Sequence, residues 1–83
     1  MRILYFGWVR SKIGTGTQDI EVPNAAKNVR DLINHLSSLD NTYEQVFRDL
    51  TVIRVAVNQE MADMETLIED AKEIALFPPM TGG

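Results

Sequence analysis

One stripe of apolar residues limits what this chain can become. Val29, Leu32, Ile33, Leu36 and Leu39 fall at i, i+3, i+4, i+7 and i+10, the spacing that places side chains on a single helical face. Asn28 stands before the stripe as an N-cap, and Asp31 follows it in capping-box spacing. An amphipathic helix of about three turns is stable only when its apolar face packs on something else. The chain has 83 residues, enough for one core and not for two. The remaining residues must therefore supply the surface on which this helix lies.

They read mostly as strands. Arg2-Ile3-Leu4-Tyr5-Phe6-Gly7-Trp8-Val9 is rich in β-branched and aromatic residues and is expected to be a strand. Ile3 to Phe6 are all apolar, so both faces of that strand meet something. It is either central or carries an exposed patch on one side, with Phe6 or Tyr5 left open. Gly14-Thr15-Gly16 marks a turn. Residues 17–22 then alternate, with Ile20 and Val22 inward, and Pro23 ends the run. Two adjacent strands joined by a loop most simply form an antiparallel hairpin.

After the helix, Tyr43, Val46, Phe47 and Leu50 have the spacing of a helical turn or two packed under the sheet. Ile53 to Val57 alternates strictly, with Ile53, Val55 and Val57 buried and Arg54 exposed. Asn58-Gln59 makes a turn, and Glu60-Met61-Ala62 is at best a short strand. Thr66-Leu67-Ile68 ends the connection, and residues 69–72 turn without a glycine. In the last strand, 73–77, inward Ile74 and Leu76 force Ala75 and Phe77 outward. A hairpin, a helix and further strands make an α+β layout. Setting the last strand beside the first, in parallel, lets both reach the helix. The expected fold is a ubiquitin-like β-grasp, with a mixed sheet of four to five strands packed on one main helix. It should occupy residues 1–77, with an extended Gly-Gly tail over 78–83.

Composition excludes several functions. There are no cysteines, so this chain supplies no disulfide, thiolate metal site or thiol nucleophile. A reducing, cytoplasmic setting suits such a domain. No window approaches the ~18 apolar residues of a membrane span, and no leader is evident. The net charge is −4, which argues against a nucleic-acid partner. Six of the twelve acids lie between Glu60 and Glu73, against Lys72 alone, a bias that favours a basic protein partner. The single histidine, His35, falls on the polar side of the helix with nothing beside it to orient or activate it. No metal site is expected.

The chain ends Pro78-Pro79-Met80-Thr81-Gly82-Gly83. Two prolines stop a strand and favour stiff, extended backbone. The four residues beyond them could reach on the order of 13 Å. Glycine alone lets a narrow cleft close on the backbone from both sides. Such a tail suits delivery of a terminal carboxyl group into another protein's active site.

Tyr5-Phe6-Gly7 with Val9-Arg10, Val55-Ala56-Val57-Asn58-Gln59, and Leu76-Phe77-Pro78-Pro79-Met80-Thr81-Gly82-Gly83 resemble the small subunits of molybdopterin synthase. The likeness runs the length of the chain. Ala71 stands where that family usually has glycine, and Met80 where a smaller or β-branched residue is usual. The resemblance implies a sulfur carrier. An E1-like adenylating enzyme would use ATP to convert the Gly83 carboxylate to an acyl-adenylate, and a sulfur donor would make it a thiocarboxylate. The tail (Pro78, Pro79, Met80, Thr81, Gly82 and Gly83) would then enter the large subunit and give sulfur to cyclic pyranopterin monophosphate (precursor Z). The carrier would bind no cofactor itself and would work in a heterotetramer of two small and two large chains. Phe6, Met61 and Phe77 are expected to form an apolar docking patch for the large subunit and the activating enzyme. The alternatives are a sulfur carrier of the thiazole pathway, or a ubiquitin-like modifier joined through Gly83 to lysines. No nucleophile–base pair or phosphate loop supports a stand-alone enzyme.

Overall fold

A computed structural model describes residues 1–79 of the chain. In chain order the elements are β1 (Arg2–Tyr5), α1 (Gly7–Ile13), β2 (Thr17–Asp19), α2 (Val29–Leu39) and α3 (Asn41–Val46). A 3-10 turn (Leu50–Val52), β3 (Arg54–Val57), β4 (Glu60–Ala62) and β5 (Glu73–Phe77) complete the fold. The five strands form one sheet in the order β2-β1-β5-β3-β4. β1 and β5 run parallel, and the other neighbours are antiparallel. The last strand is therefore the middle one. This is the ubiquitin-like β-grasp expected from the pattern.

The stripe on α2 supplies the core. Val29, Leu32, Ile33 and Leu36 meet Ile3 and Tyr5 of β1, Ile74 and Leu76 of β5, and Val55 of β3, all at most 1% exposed. Leu39 departs from the expectation. It is 53% exposed, because α2 ends there and its last side chain overshoots the sheet. Asn28 caps α2, its Oδ1 accepting the Asp31 N–H at 2.9 Å. Asp31 Oδ2 reaches back to the Lys27 N–H at 2.9 Å, one residue earlier than a strict capping box requires. α3 buries Val46 together with the following Phe47.

The first strand is shorter than its composition implies. It stops after Tyr5, and Gly7 to Ile13 form α1 instead of continuing to Val9. Two backbone positions produce the change. Gly7 takes φ +59° and Gly14 takes φ +93°, left-handed values that suit glycine. The first turns the chain out of the sheet. The second ends the helix, its N–H donating to the Arg10 carbonyl at 2.8 Å. Val9, four residues before Ile13, is fully buried, so a tertiary contact overrides its β-propensity.

The β3–β4 hairpin turns through Asn58 (φ 50°) and Gln59 (φ 70°), the consecutive positive angles of a type I′ turn. Asn58 Oδ1 also accepts the N–H groups of Lys72 and Glu73, at 2.9 and 3.1 Å. Its own N–H donates to the Glu73 carbonyl at 2.8 Å. One asparagine thus ties the hairpin to the start of the central strand. Ala71 is accommodated in the preceding turn because the left-handed angles fall elsewhere. Its N–H donates to the Ile68 carbonyl at 3.0 Å.

Candidate functional site

Side-chain alternation gives the sheet two unlike faces. One packs on α2. The other carries Leu4 of β1, Ala75 and Phe77 of β5, Ala56 and Arg54 of β3, and Met61 of β4. Strand register fixes the order across this outer face. Leu4 lies opposite Ala75, Ala75 opposite Ala56, and Ala56 opposite Met61. This makes a continuous apolar row on four strands. In the next row Phe77 lies opposite Arg54. Phe6 continues β1 with an N–H bond to the Leu76 carbonyl at 3.2 Å, which sets it beside Phe77.

The three residues expected to form the patch therefore share one face. Phe6 is 47% exposed and Met61 70%. Phe77 is half-buried between its neighbours. Of the two aromatics left open by the sequence, Phe6 faces out. Tyr5 is buried and donates to Gln18 Oε1 at 3.0 Å. Burial pushes the Tyr5 phenol pKa well above its usual value, and the neighbouring Tyr43 adds to the effect. Leu4 and Ala56, which floor the patch, were not singled out by the sequence. Their signal was the parity of Leu4 against buried Ile3 and Tyr5, and it becomes readable only once β1 is registered on β5.

The chain leaves the sheet at the end of β5, beside this patch. Pro78 and Pro79 are half-buried. Met80, Thr81, Gly82 and Gly83 lie outside the described residues. Pro78 sits on Gly7: a Cβ there would come within 2.7 Å of the Pro78 Cγ and 2.9 Å of its Cδ. A surface groove of about 1000 Å³ opens elsewhere, between Met1, Ile20, Val22 and Leu67. Among the described residues, neither Pro78, Pro79 nor any patch residue lines it. Among the described residues no group of three His, Asp or Glu side chains could hold a metal, and no helix is long and apolar enough to cross a membrane.

Known proteins resemble this chain in both sequence and fold. The ThiS family model matches residues 3–83. The chain belongs to the ThiS family. Relatives with the name molybdopterin synthase sulfur carrier subunit span it end to end. That of Mycobacterium tuberculosis is 31% identical, over 100% of this chain and 96% of the relative. That of Escherichia coli is 30% identical, over 100% and 99%. Two solved structures agree with the fold. SAMP1 from Haloferax volcanii superposes with a TM-score of 0.75 at 28% identity, over 99% of this chain and 97% of that one. A Pyrococcus furiosus protein assigned as molybdopterin converting factor subunit 1 gives 0.72 at 25% identity, over 95% of each chain. This ThiS-family chain thus shares its fold with both structures over 95% or more of its length.

Proposed function

We propose that this chain is the sulfur carrier subunit of molybdopterin synthase, acting in the cytoplasm through the carboxyl group of Gly83. A carboxylate is a poor electrophile. In the proposed reaction it attacks the α-phosphorus of ATP on an E1-like adenylating enzyme and releases pyrophosphate. The acyl-adenylate has AMP as a leaving group, and a sulfide equivalent displaces it to give the thiocarboxylate. The loaded tail then enters the large subunit and passes its sulfur to precursor Z, cyclic pyranopterin monophosphate. Water returns the carrier to the carboxylate. A dithiolene holds two sulfurs and each carrier brings one, so two loaded chains are consumed per product.

Each part of the chain has a place in this scheme. With no cysteine in the sequence, sulfur cannot be held on a side chain as a persulfide. The main-chain carboxyl remains. Acids, bases and any metal come from the partners. Phe6, Met61 and Phe77, with Leu4, Ala56 and Ala75 between them, give those partners an apolar surface rimmed by Arg54. Apolar, aromatic and Met-rich surfaces of this kind mark docking faces. One observation carries the reading: the central strand, β5, ends beside that face and leads directly into Pro78-Pro79 and the closing glycines.

Co-expression with the activating enzyme and a sulfur source tests it. Intact mass should show one oxygen replaced by sulfur on the full-length chain. Removing Gly83, or adding one residue after it, should abolish both the mass change and precursor conversion while leaving the fold intact. Normal conversion by either variant would refute the proposal. Covalent adducts on lysines of other proteins, with no sulfur gained, would point instead to a ubiquitin-like modifier.

A further inference from the structure

We infer that Gly7 is a positioning residue for sulfur transfer, because it seats Pro78 and so sets the direction in which the chain end leaves the sheet. The inference rests on the sulfur-carrier reading. Phe6 and Leu76 are joined by a 3.2 Å backbone bond, so strand and tail root are locked side by side up to that level. At the next residue the chains diverge. Gly7, at φ +59°, turns into α1, while Pro78 leads toward the terminus.

The two touch where a side chain has no room. A Cβ on Gly7 would stand 2.7 and 2.9 Å from two Pro78 ring carbons, closer than real Cβ contacts. Little else near the contact can yield. Pro78 has its φ fixed by its ring, and Phe77 before it is paired with Arg54 across the ladder. On the other side α1 is held by fully buried Val9 and by the Gly14 cap. Any displacement therefore falls on Pro78, the root of the segment that leads to Gly83.

That position matters. Five residues follow Pro78, the last of them Gly83, so a shift in where Pro78 sits is carried to the start of the segment that bears the reacting carboxyl. Misplacing a reacting group by about 1 Å can cost on the order of 100-fold in rate. Pro78 and Gly7 therefore act as a pair. The ring limits the tail's angle, and the missing side chain lets the ring lie flat.

The test compares wild type, Gly7→Ala, Pro78→Ala and the double variant, each loaded as the thiocarboxylate. Single-turnover transfer is measured at saturating large subunit, with affinity of the unloaded chain measured separately. Gly7→Ala should slow transfer at least tenfold, with affinity for the large subunit within about threefold of wild type. Adding Pro78→Ala should recover much of that loss, because the ring that the new Cβ meets is gone. A purely structural role would lower melting temperature without moving the saturated rate. The seat is overturned if Gly7→Ala transfers at the wild-type rate, or if the double variant is no faster than Gly7→Ala. A second arm needs no activity. In the free wild-type protein, nuclear Overhauser contacts should join the Gly7 Hα atoms to the Pro78 ring, and their absence would also overturn the seat. Failure of the wild type itself to transfer sulfur, with those contacts present, counts against the carrier reading and leaves the Gly7–Pro78 contact standing.

Discussion

Replacing Asn58 should separate two contributions that the structure places on one side chain. Asn58 holds φ 50°, and its Oδ1 accepts the N–H groups of Lys72 and Glu73 at 2.9 and 3.1 Å. These bonds are exposed, so water replaces much of what is lost, and each contributes about 0.5–1 kcal/mol. Alanine in the left-handed region costs a further ~1 kcal/mol or more, a cost that asparagine and glycine largely escape. Asn58→Ala should therefore destabilise by about 2–3 kcal/mol. Asn58→Gly loses only the hydrogen bonds, about 1–2 kcal/mol. Asn58→Asp keeps an acceptor and should stay within about 1 kcal/mol of wild type. Against a total of about 4–12 kcal/mol for a chain of this length, the alanine loss is large. It corresponds to a melting temperature lowered by roughly 8–20 °C. Urea and thermal denaturation followed by circular dichroism would measure the series. Below its melting transition, Asn58→Ala should still be loaded with sulfur, because the change lies at the start of β5 and the tail at its end. An alanine variant within 0.5 kcal/mol of wild type, or a glycine variant as unstable as the alanine one, would refute the reasoning.

Phe77→Asp and Met61→Asp should each weaken binding to the large subunit by about 2 kcal/mol or more, roughly 30-fold, since both put a charge into an apolar interface. Melting of Met61→Asp should be nearly unchanged, and calorimetric titration beside thermal melting checks both; a collapse in the stability of Phe77→Asp would place that residue in the core. Tyr5→Phe should cost about 1 kcal/mol near neutral pH by removing the bond to Gln18. Tyr5 also makes wild type sensitive to alkali. Its pKa is raised in the fold, so the native state holds the phenolic proton more tightly than the unfolded chain, whose value is 10.0. The stabilisation is complete below pH 10.0 and declines as pH rises beyond it, so the gap between wild type and Tyr5→Phe in urea melts should narrow above that pH.

The legible parts of the fold were those with long-range period or an unambiguous cap. Four residues of the α2 stripe, the Asn28 cap and the inward parity of Ile74 and Leu76 all stand where the sequence put them. The parallel pairing of β1 with β5 followed from the need of both strands to reach one helix. Residues 7–13 misled. Trp8 and Val9 carry β-propensity, α1 has only seven residues, and so short a helix shows little periodicity. The Val9–Ile13 spacing and Gly14 were the signals available. For the site, Phe6, Met61 and Phe77 could be proposed from exposure and parity. Leu4 and Ala56 needed the strand register that joins them. The contact between Gly7 and Pro78 joins residues 71 positions apart in the sequence, and no local pattern encodes it.

The most direct test of the central claim follows the sulfur atom itself. Wild-type chain is loaded with heavy-isotope sulfur as the Gly83 thiocarboxylate, freed of the activating enzyme, and mixed with purified large subunit and precursor Z. The label should appear in the dithiolene of the product while the carrier returns to its unlabelled carboxylate mass. Label retained on the carrier while unlabelled dithiolene forms would contradict the central claim.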